Sequence, residues 1–313
     1  MDRPIAHVIS ISGGKDSTAT ALVCREMIAA GMVPPGDVFL AFAETDNEHV
    51  LTYEYLDYLE RALGLPIARL KADFAQRIAR KAAYVAEHWP ADGVPPEAVE
   101  RALSALVPTG VAFLDLCIWK GRFPSRKAQF CTEELKTTVL QNYQLDLVER
   151  GYCVWSWQGI RADESITRRH RAPFEALDDH LFVYRPILKW PALATFAAMD
   201  VCGVEVNPLY RHGMKRVGCM LCINASKTEI AEVSRRWPEV IDKIRRWESA
   251  VAAAAKRGAA SFFPAPNDGR ADQQGRNIDE RVAWSRTLRG GVARDLLADL
   301  PPPACSSHYQ LCE

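Results

Sequence analysis

A six-residue turn, Ser12-Gly13-Gly14-Lys15-Asp16-Ser17, stands between an apolar run, His7 to Ile11, and a stretch with apolar positions Ala21, Leu22, Met27 and Ile28 that stops at Gly31. A strand, a glycine-rich turn and a helix in that order constrain the chain more than any other feature. Glycines let the backbone close on an anion, and the first turn of a helix offers unpaired N–H groups at the positive end of its dipole. Ser12 and Ser17 add hydroxyl groups, Lys15 adds charge, and Asp16 is placed to hold Mg²⁺ or to cap the helix. The plainer reading is a strand–helix turn with Asp16 or Ser17 as N-cap. The loop is not of the Walker A kind, because the Gly-x-x-x-x-Gly-Lys spacing is absent.

The alternation continues. Pro34-Pro35-Gly36 makes a turn, Val38 to Ala43 reads as a second strand, Leu51 to Leu63 as a helix, and Ile67 to Leu70 as a third strand. This predicts an α/β fold, a doubly wound, mainly parallel sheet with flanking helices. From Asp73 to about Lys127 the pattern loosens into helical stretches broken by Pro90, Pro95-Pro96 and Pro108, an insertion or cap near the site. Sheet signal returns at Cys153 to Ile160 and at Leu181 to Leu188, followed by a helix from Pro191 to Met199. One amphipathic helix is expected over Ile230 to Arg257 and a last one near Ile278 to Arg286. We divide the chain into a main domain over 1–229 that contains the 73–127 insertion, a helical C-terminal extension over 230–300, and a cysteine-containing tail over 301–313.

Composition removes several classes. The 39 basic and 39 acidic side chains cancel, which excludes a protein that coats nucleic acid through bulk charge. With 25% charged and 48% hydrophobic residues the chain is no disordered tail. Apolar runs such as Val251 to Ala255 fall far short of the roughly 18 residues of a membrane span. No signal-peptide apolar region follows Met1, so a cytoplasmic location away from membranes is expected.

Nine cysteines, an odd number, cannot all pair, and cytoplasmic thiols stay reduced unless they hold metal or do chemistry. Cys24, Cys117, Cys153 and Cys202 sit in apolar surroundings and read as buried fillers. Cys219 and Cys222 form a Cys-x-x-Cys after Gly218, a spacing that suits iron–sulfur or zinc ligation, or a redox pair. Cys131 stands at the mouth of a helix, and Cys305 and Cys312 lie in the tail, where Tyr309 and Leu311 favour docking over fraying. Arg161 and Arg168 are suited to phosphate or sulfate oxygens, which guanidinium binds in a bidentate way. Arg168 also belongs to a run, Arg168-Arg169-His170-Arg171, of the kind that is usually a solvated face. Arg211, His212, Lys215 and Arg216 beside the Cys-x-x-Cys leave a nucleic-acid partner open. Trp155 and Trp157 could stack on bases, although tryptophans at period two are more often sheet-face residues.

These residues carry a family resemblance. Ser12 to Ser17 resembles the signature of the PP-loop ATP pyrophosphatases, the adenine nucleotide alpha hydrolase-like superfamily, whose members cleave ATP between the α and β phosphates. Within it the chain resembles the phosphoadenosine phosphosulfate (PAPS) reductase family at further places. These are Glu44-Thr45-Asp46-Asn47-Glu48 after the second strand, Gly159-Ile160-Arg161 with Ser165 and Arg168, Asn207-Pro208-Leu209-Tyr210 with Gly213 and Arg216, and Cys131…Lys136 with Gly218-Cys219-Met220-Leu221-Cys222. The likeness covers roughly residues 5–230.

The resemblance implies an adenine nucleotide bound by Ser12, Gly13, Gly14, Lys15, Asp16, Ser17, Thr45, Gly159, Arg161 and Arg168, with Lys15 and Asp16 in catalytic roles. Adenylyl-sulfate reductases of the family bind a [4Fe–4S] cluster through a tandem Cys-Cys and a later Cys-x-x-Cys. Here Cys131 falls on the first cysteine of the tandem and Thr132 on the second, so Cys131, Cys219 and Cys222 are three expected ligands and Cys305 or Cys312 the fourth. Zinc is the alternative metal, and Cys312 the alternative nucleophile. True reductases of the family tend to have a degraded loop, whereas this chain keeps the whole of it. That favours ATP- and Mg²⁺-dependent activation of an acceptor for sulfur transfer, as in the sulfur-transfer enzymes that include those of DNA phosphorothioation. A sulfonucleotide reductase that releases sulfite is the competing reading, and a nucleotide- or redox-sensing module is the non-enzymatic one. A sulfur or electron donor protein and a homodimer are compatible with each.

Overall fold

The computed structural model describes residues 3–263 and 277–287. Three strands come first: β1 (Ile5–Ile11), β2 (Asp37–Glu44) and β3 (Ile67–Lys71). β1 is rich in isoleucine and valine and buried on both faces, as a central strand of a parallel sheet must be. β4 (Cys153–Trp157), β5 (Phe174–Asp178) and β6 (Leu181–Tyr184) complete one six-stranded sheet, ordered β3-β2-β1-β4-β6-β5. All neighbouring pairs are parallel except β5 with β6.

One face of the sheet is covered by α1 (Lys15–Ala29), α2 (Val50–Leu63) and a helix over Ala192–Val201, around Leu22, Leu40, Leu56 and Phe196. The helix Thr138–Glu149 covers the other face through Leu147. This is the doubly wound, mainly parallel arrangement expected from the alternating pattern. The strand order reverses between β1 and β4, and the phosphate-loop candidate lies at that switch point, where ligands of such sheets bind.

The 73–127 stretch forms α3 (Ala75–Ala91), α4 (Pro96–Ala105) and α5 (Ala112–Lys120). They share one core with the cysteine loop and the C-terminal helices, through Ile78, Leu116, Leu221, Ile244 and Phe262. The segment expected as one helix over 230–257 is two, Lys227–Arg236 and Pro238–Ala254. Pro238 supplies no N–H and disfavours helical geometry at Trp237, so the chain turns there and restarts with proline in the first turn. A capping box of Ser226 and Glu229 starts the first of the two earlier than the apolar pattern suggests. Glu248 then fastens the end of the described chain, accepting from the backbone N–H groups of Phe262 at 2.7 Å and Ile278 at 2.9 Å.

Two other expectations change. Cys24 and Cys117 are buried, but Cys153 and Cys202 are only half-buried, at a strand start and a helix end. Trp157 is fully buried and donates its indole N–H to His7 Nδ1 at 3.0 Å, while Trp155 packs against Phe174 and Phe182 on the sheet. Both tryptophans are sheet residues. Among the described residues no helix is long and apolar enough to cross a membrane.

Candidate functional site

β1 ends at Ile11 and the chain turns through Gly13, whose φ of +74° is left-handed and suited to glycine. Gly14 is the N-cap of α1 and has no side chain of its own to cap it. Ser12 and Ser17 close the turn: Ser17 Oγ accepts from Ser12 N at 3.0 Å and lies 3.1 Å from Ser12 Oγ. Two residues from far along the chain brace the loop. Tyr210 Oη accepts from Lys15 N at 3.0 Å, and Asn207 Nδ2 donates to Gly13 O at 3.1 Å.

The charges converge on Asp16. Lys15 Nζ reaches Asp16 Oδ2 at 2.9 Å and Arg161 Nε reaches Asp16 Oδ1 at 2.6 Å. Arg161 also donates from Nη1 to Asp163. Lys15 and Arg161 are buried, at 7% and 4% exposure, so their charges are only lightly screened. Burial pulls the Arg161 guanidinium down, but the carboxylates of Asp16 and Asp163 win and raise it above its ordinary value. Gly159 is where the two segments touch: a Cβ there would sit 2.8 Å from Asp16 O and 3.0 Å from Ser17 N. Arg168 is turned to Glu164, whose carboxylate also accepts from Arg161 N at 3.4 Å, so it joins the cluster through Glu164. Both oxygens of Asp16 are engaged by cations, so this arrangement presents no free carboxylate to Mg²⁺.

Thr45 lies elsewhere, against the cysteine loop. Its hydroxyl donates to Glu48 Oε1 at 2.7 Å and lies 3.3 Å from Cys219 Sγ. Glu48, a buried carboxylate, also accepts from Thr45 N and from Tyr53 Oη, each at 3.2 Å. Lys243 ties the neighbourhood together, donating to Asn47 Oδ1 at 2.9 Å and Met220 O at 3.1 Å, and burial lowers its ammonium below the usual lysine range. The helix carrying Cys131 widens into a π-helical turn over Glu133–Thr137, the kind of irregularity that often marks function, and this turn carries Lys136. The charge of Cys219, ahead of Glu48, Cys222 and Cys131, raises Lys136 against its burial. Burial pushes the Cys219 thiol up to about 12, although Lys136 pulls it back. Cys131 is raised as well, chiefly by burial.

Cys131, Cys219 and Cys222 thus share one neighbourhood, beside a cavity of about 120 Å³ lined by Lys136, Arg216, Cys219, Cys222 and Asn224. Among the described residues, however, no three His, Cys, Asp or Glu side chains form a group able to hold a metal ion. These residues do not by themselves fit zinc or a cluster, and Cys305 and Cys312 lie outside the described residues. Sequence reasoning placed the loop, Gly159, Arg161 and the three thiols; it passed over Asp163, Glu48, Tyr53 and Lys243. Of these Glu48 and Asp163 lay within motifs read from the sequence, and Lys243 lies in an amphipathic helix where nothing sets it apart from a surface lysine.

Residues 119–225 match the family model of the phosphoadenosine phosphosulfate reductase domain. A protein of Escherichia phage 186, the 37.8 kDa protein of the gpa 5′ region, is 43% identical over 98% of this chain and 96% of its own length. The nin region protein ORF290 of Escherichia phage lambda is 28% identical over 50% of this chain and 49% of its own. Among solved structures, the phosphoadenylyl-sulfate (PAPS) reductase of Candida auris in its phosphate complex is 14% identical, with a TM-score of 0.39, over 68% of this chain and 80% of that one.

Proposed function

Since residues 119–225 match the phosphoadenosine phosphosulfate reductase domain and the chain belongs to one family with the phage 186 protein, we propose that it is an enzyme acting on an adenine nucleotide, and that the nucleotide is ATP. The observation that carries this is the complete loop. The helix start at Gly14, two serine hydroxyls, and the buried cations Lys15 and Arg161 together offer donors and positive charge to phosphate oxygens. Bound polyphosphate would take Lys15 and Arg161 from Asp16 onto its own oxygens, and the carboxylate thereby released would be available to Mg²⁺.

The reaction is adenylation. An acceptor oxygen attacks the α-phosphorus, the bond from that phosphorus to the α–β bridging oxygen breaks, and pyrophosphate leaves with the electron pair. Lys15 and Arg161 act by holding charge on the departing phosphates. The adenylated acceptor carries AMP as a leaving group, and a sulfur nucleophile displaces it. The thiols of Cys131, Cys219 and Cys222 stand where such sulfur would be handled. An iron–sulfur cluster there would need a ligand from outside the described residues.

The test is direct. Anaerobically purified protein given ATP and Mg²⁺ should yield AMP and pyrophosphate in equal amounts; given PAPS and a thiol reductant it should yield no sulfite. Sulfite without pyrophosphate would replace this reading by the reductase one. ATP binding without turnover would leave a sensing module.

A further inference from the structure

A second cavity, of about 490 Å³, opens away from the phosphate loop between the end of α3, the end of α5 and the C-terminal end of the Pro238–Ala254 helix. Its walls carry Lys81, Lys120, Arg122, Lys256 and Arg257 against one lining carboxylate, Asp92, while Lys120 also pairs with Glu134 at 3.2 Å. In a chain whose charges cancel, that is a concentrated positive patch. Lys256 pairs with Asp92 at 3.3 Å, both half exposed to solvent, so the pair is weak.

The cations alternate with rings. Lys81 Nζ lies 4.9 Å from the centre of the Tyr84 ring, which is 45% exposed. Lys120 Nζ lies 3.8 Å from Trp119 and 5.8 Å from Phe130, and Arg122 lies 5.6 Å from Phe130. Contacts of this kind at the surface are weak, so the cations can swing to phosphates; Tyr84 is stacked on His88, ring centres 4.4 Å apart, so a base would meet only the ring face that His88 leaves.

We infer that this groove binds a single-stranded nucleic acid, with its backbone on the lysines and arginines and bases against Tyr84. A small anion would need one or two of these cations; a spaced series of cations and rings fits a strand, whose phosphates and bases repeat in the same way. The inference rests on the proposed function only in making that strand the acceptor. Binding is therefore measured without ATP or Mg²⁺, so that failure of turnover and failure of the groove are read separately.

The probe is a fluorescein-labelled oligothymidylate, followed by anisotropy over a range of salt. The full chain should bind it, and the Arg122→Ala/Lys256→Ala variant should bind at least about tenfold more weakly. Its log–log salt slope should shrink by about 1.4, or about 0.7 for each lost phosphate contact. Tyr84→Ala, which leaves the charge intact, should weaken binding about fivefold or more. Unchanged thermal melting in both variants shows that they fold. No binding by the full chain, unaltered binding by the double variant, or unaltered binding by Tyr84→Ala would each overturn the inference. So would displacement of the strand by inorganic polyphosphate of matched charge as readily as by unlabelled oligothymidylate.

Discussion

Asp16 holds two buried cations apart, and its removal tests the phosphate cradle more sharply than removal of either cation. In Asp16→Asn, Lys15 and Arg161 lose their shared carboxylate and face each other largely out of water. Breaking a buried pair in this way costs about 3–5 kcal/mol in favourable cases, and the partial exposure of Asp16 places this one at the low end. Pyrophosphate should restore part of that loss, because it supplies the missing negative charge. A thermal shift on adding pyrophosphate should therefore be larger for Asp16→Asn than for the unaltered protein, while ATP turnover should fall at least a hundredfold. An equal or smaller shift would mean that anions do not settle between Lys15 and Arg161. At this scale the sequence was informative where chemistry depends on local order. Ser12 to Ser17 is contiguous and flanked by a strand and a helix, so the turn could be picked out directly. Lys243 reaches Asn47 from 196 residues away through tertiary packing, and no spacing connects it to the Glu48–Tyr53 pair.

The elements that matter most are the three loops crossing at the β1–β4 switch point. Gly159, just beyond β4, lies against the backbone of Asp16 and Ser17, which cannot move aside as a flexible side chain would. Gly159→Ala should push the start of α1 away from Arg161, costing about 1–3 kcal/mol of stability and weakening ATP binding at least tenfold. Calorimetric titration with ATP and a urea melt measure the two, and a variant that binds ATP normally would refute the contact. Most of the elements were legible. β1 to β3 and their helices followed from apolar runs bounded by glycine and proline. β5 was not, since it is a short, largely exposed edge strand, and only its antiparallel pairing with β6 makes it a strand. The break at Trp237 was missed because amphipathic period continues across it, although Pro238 was there to signal it.

For the whole molecule, the response to acid follows from buried histidines. His7 is fully buried; its Nδ1 accepts from Trp157 and its Nε2 lies 2.9 Å from Pro34 O, so both nitrogens are satisfied only by the neutral ring. Burial depresses it below the ordinary 6.5, and burial does the same to His49 and His212, which pack against Trp237. The unfolded chain takes up these protons at higher pH than the folded one. Their contribution is thus complete above about pH 6.5 and is lost as pH falls towards the depressed folded values, by up to about 1.4 kcal/mol per pH unit for each histidine. Urea melts at pH 7 and pH 5 should show this decline, and His7→Gln, which can keep both hydrogen bonds, should make it shallower. An identical slope in that variant would remove His7 from the account.

The Tyr210 hydroxyl on Lys15 N and the Asn207 amide on Gly13 O join positions 195 and 194 residues apart. For a geneticist this has a practical meaning. Lesions at Asn207 or Tyr210 and lesions at Gly13 or Lys15 should fall into one phenotypic class, and a change at one end should be open to suppression at the other. A selection for restored activity, begun from a weak allele at Tyr210, would then recover second changes in the first twenty residues, which a linear map of the gene would give no reason to expect.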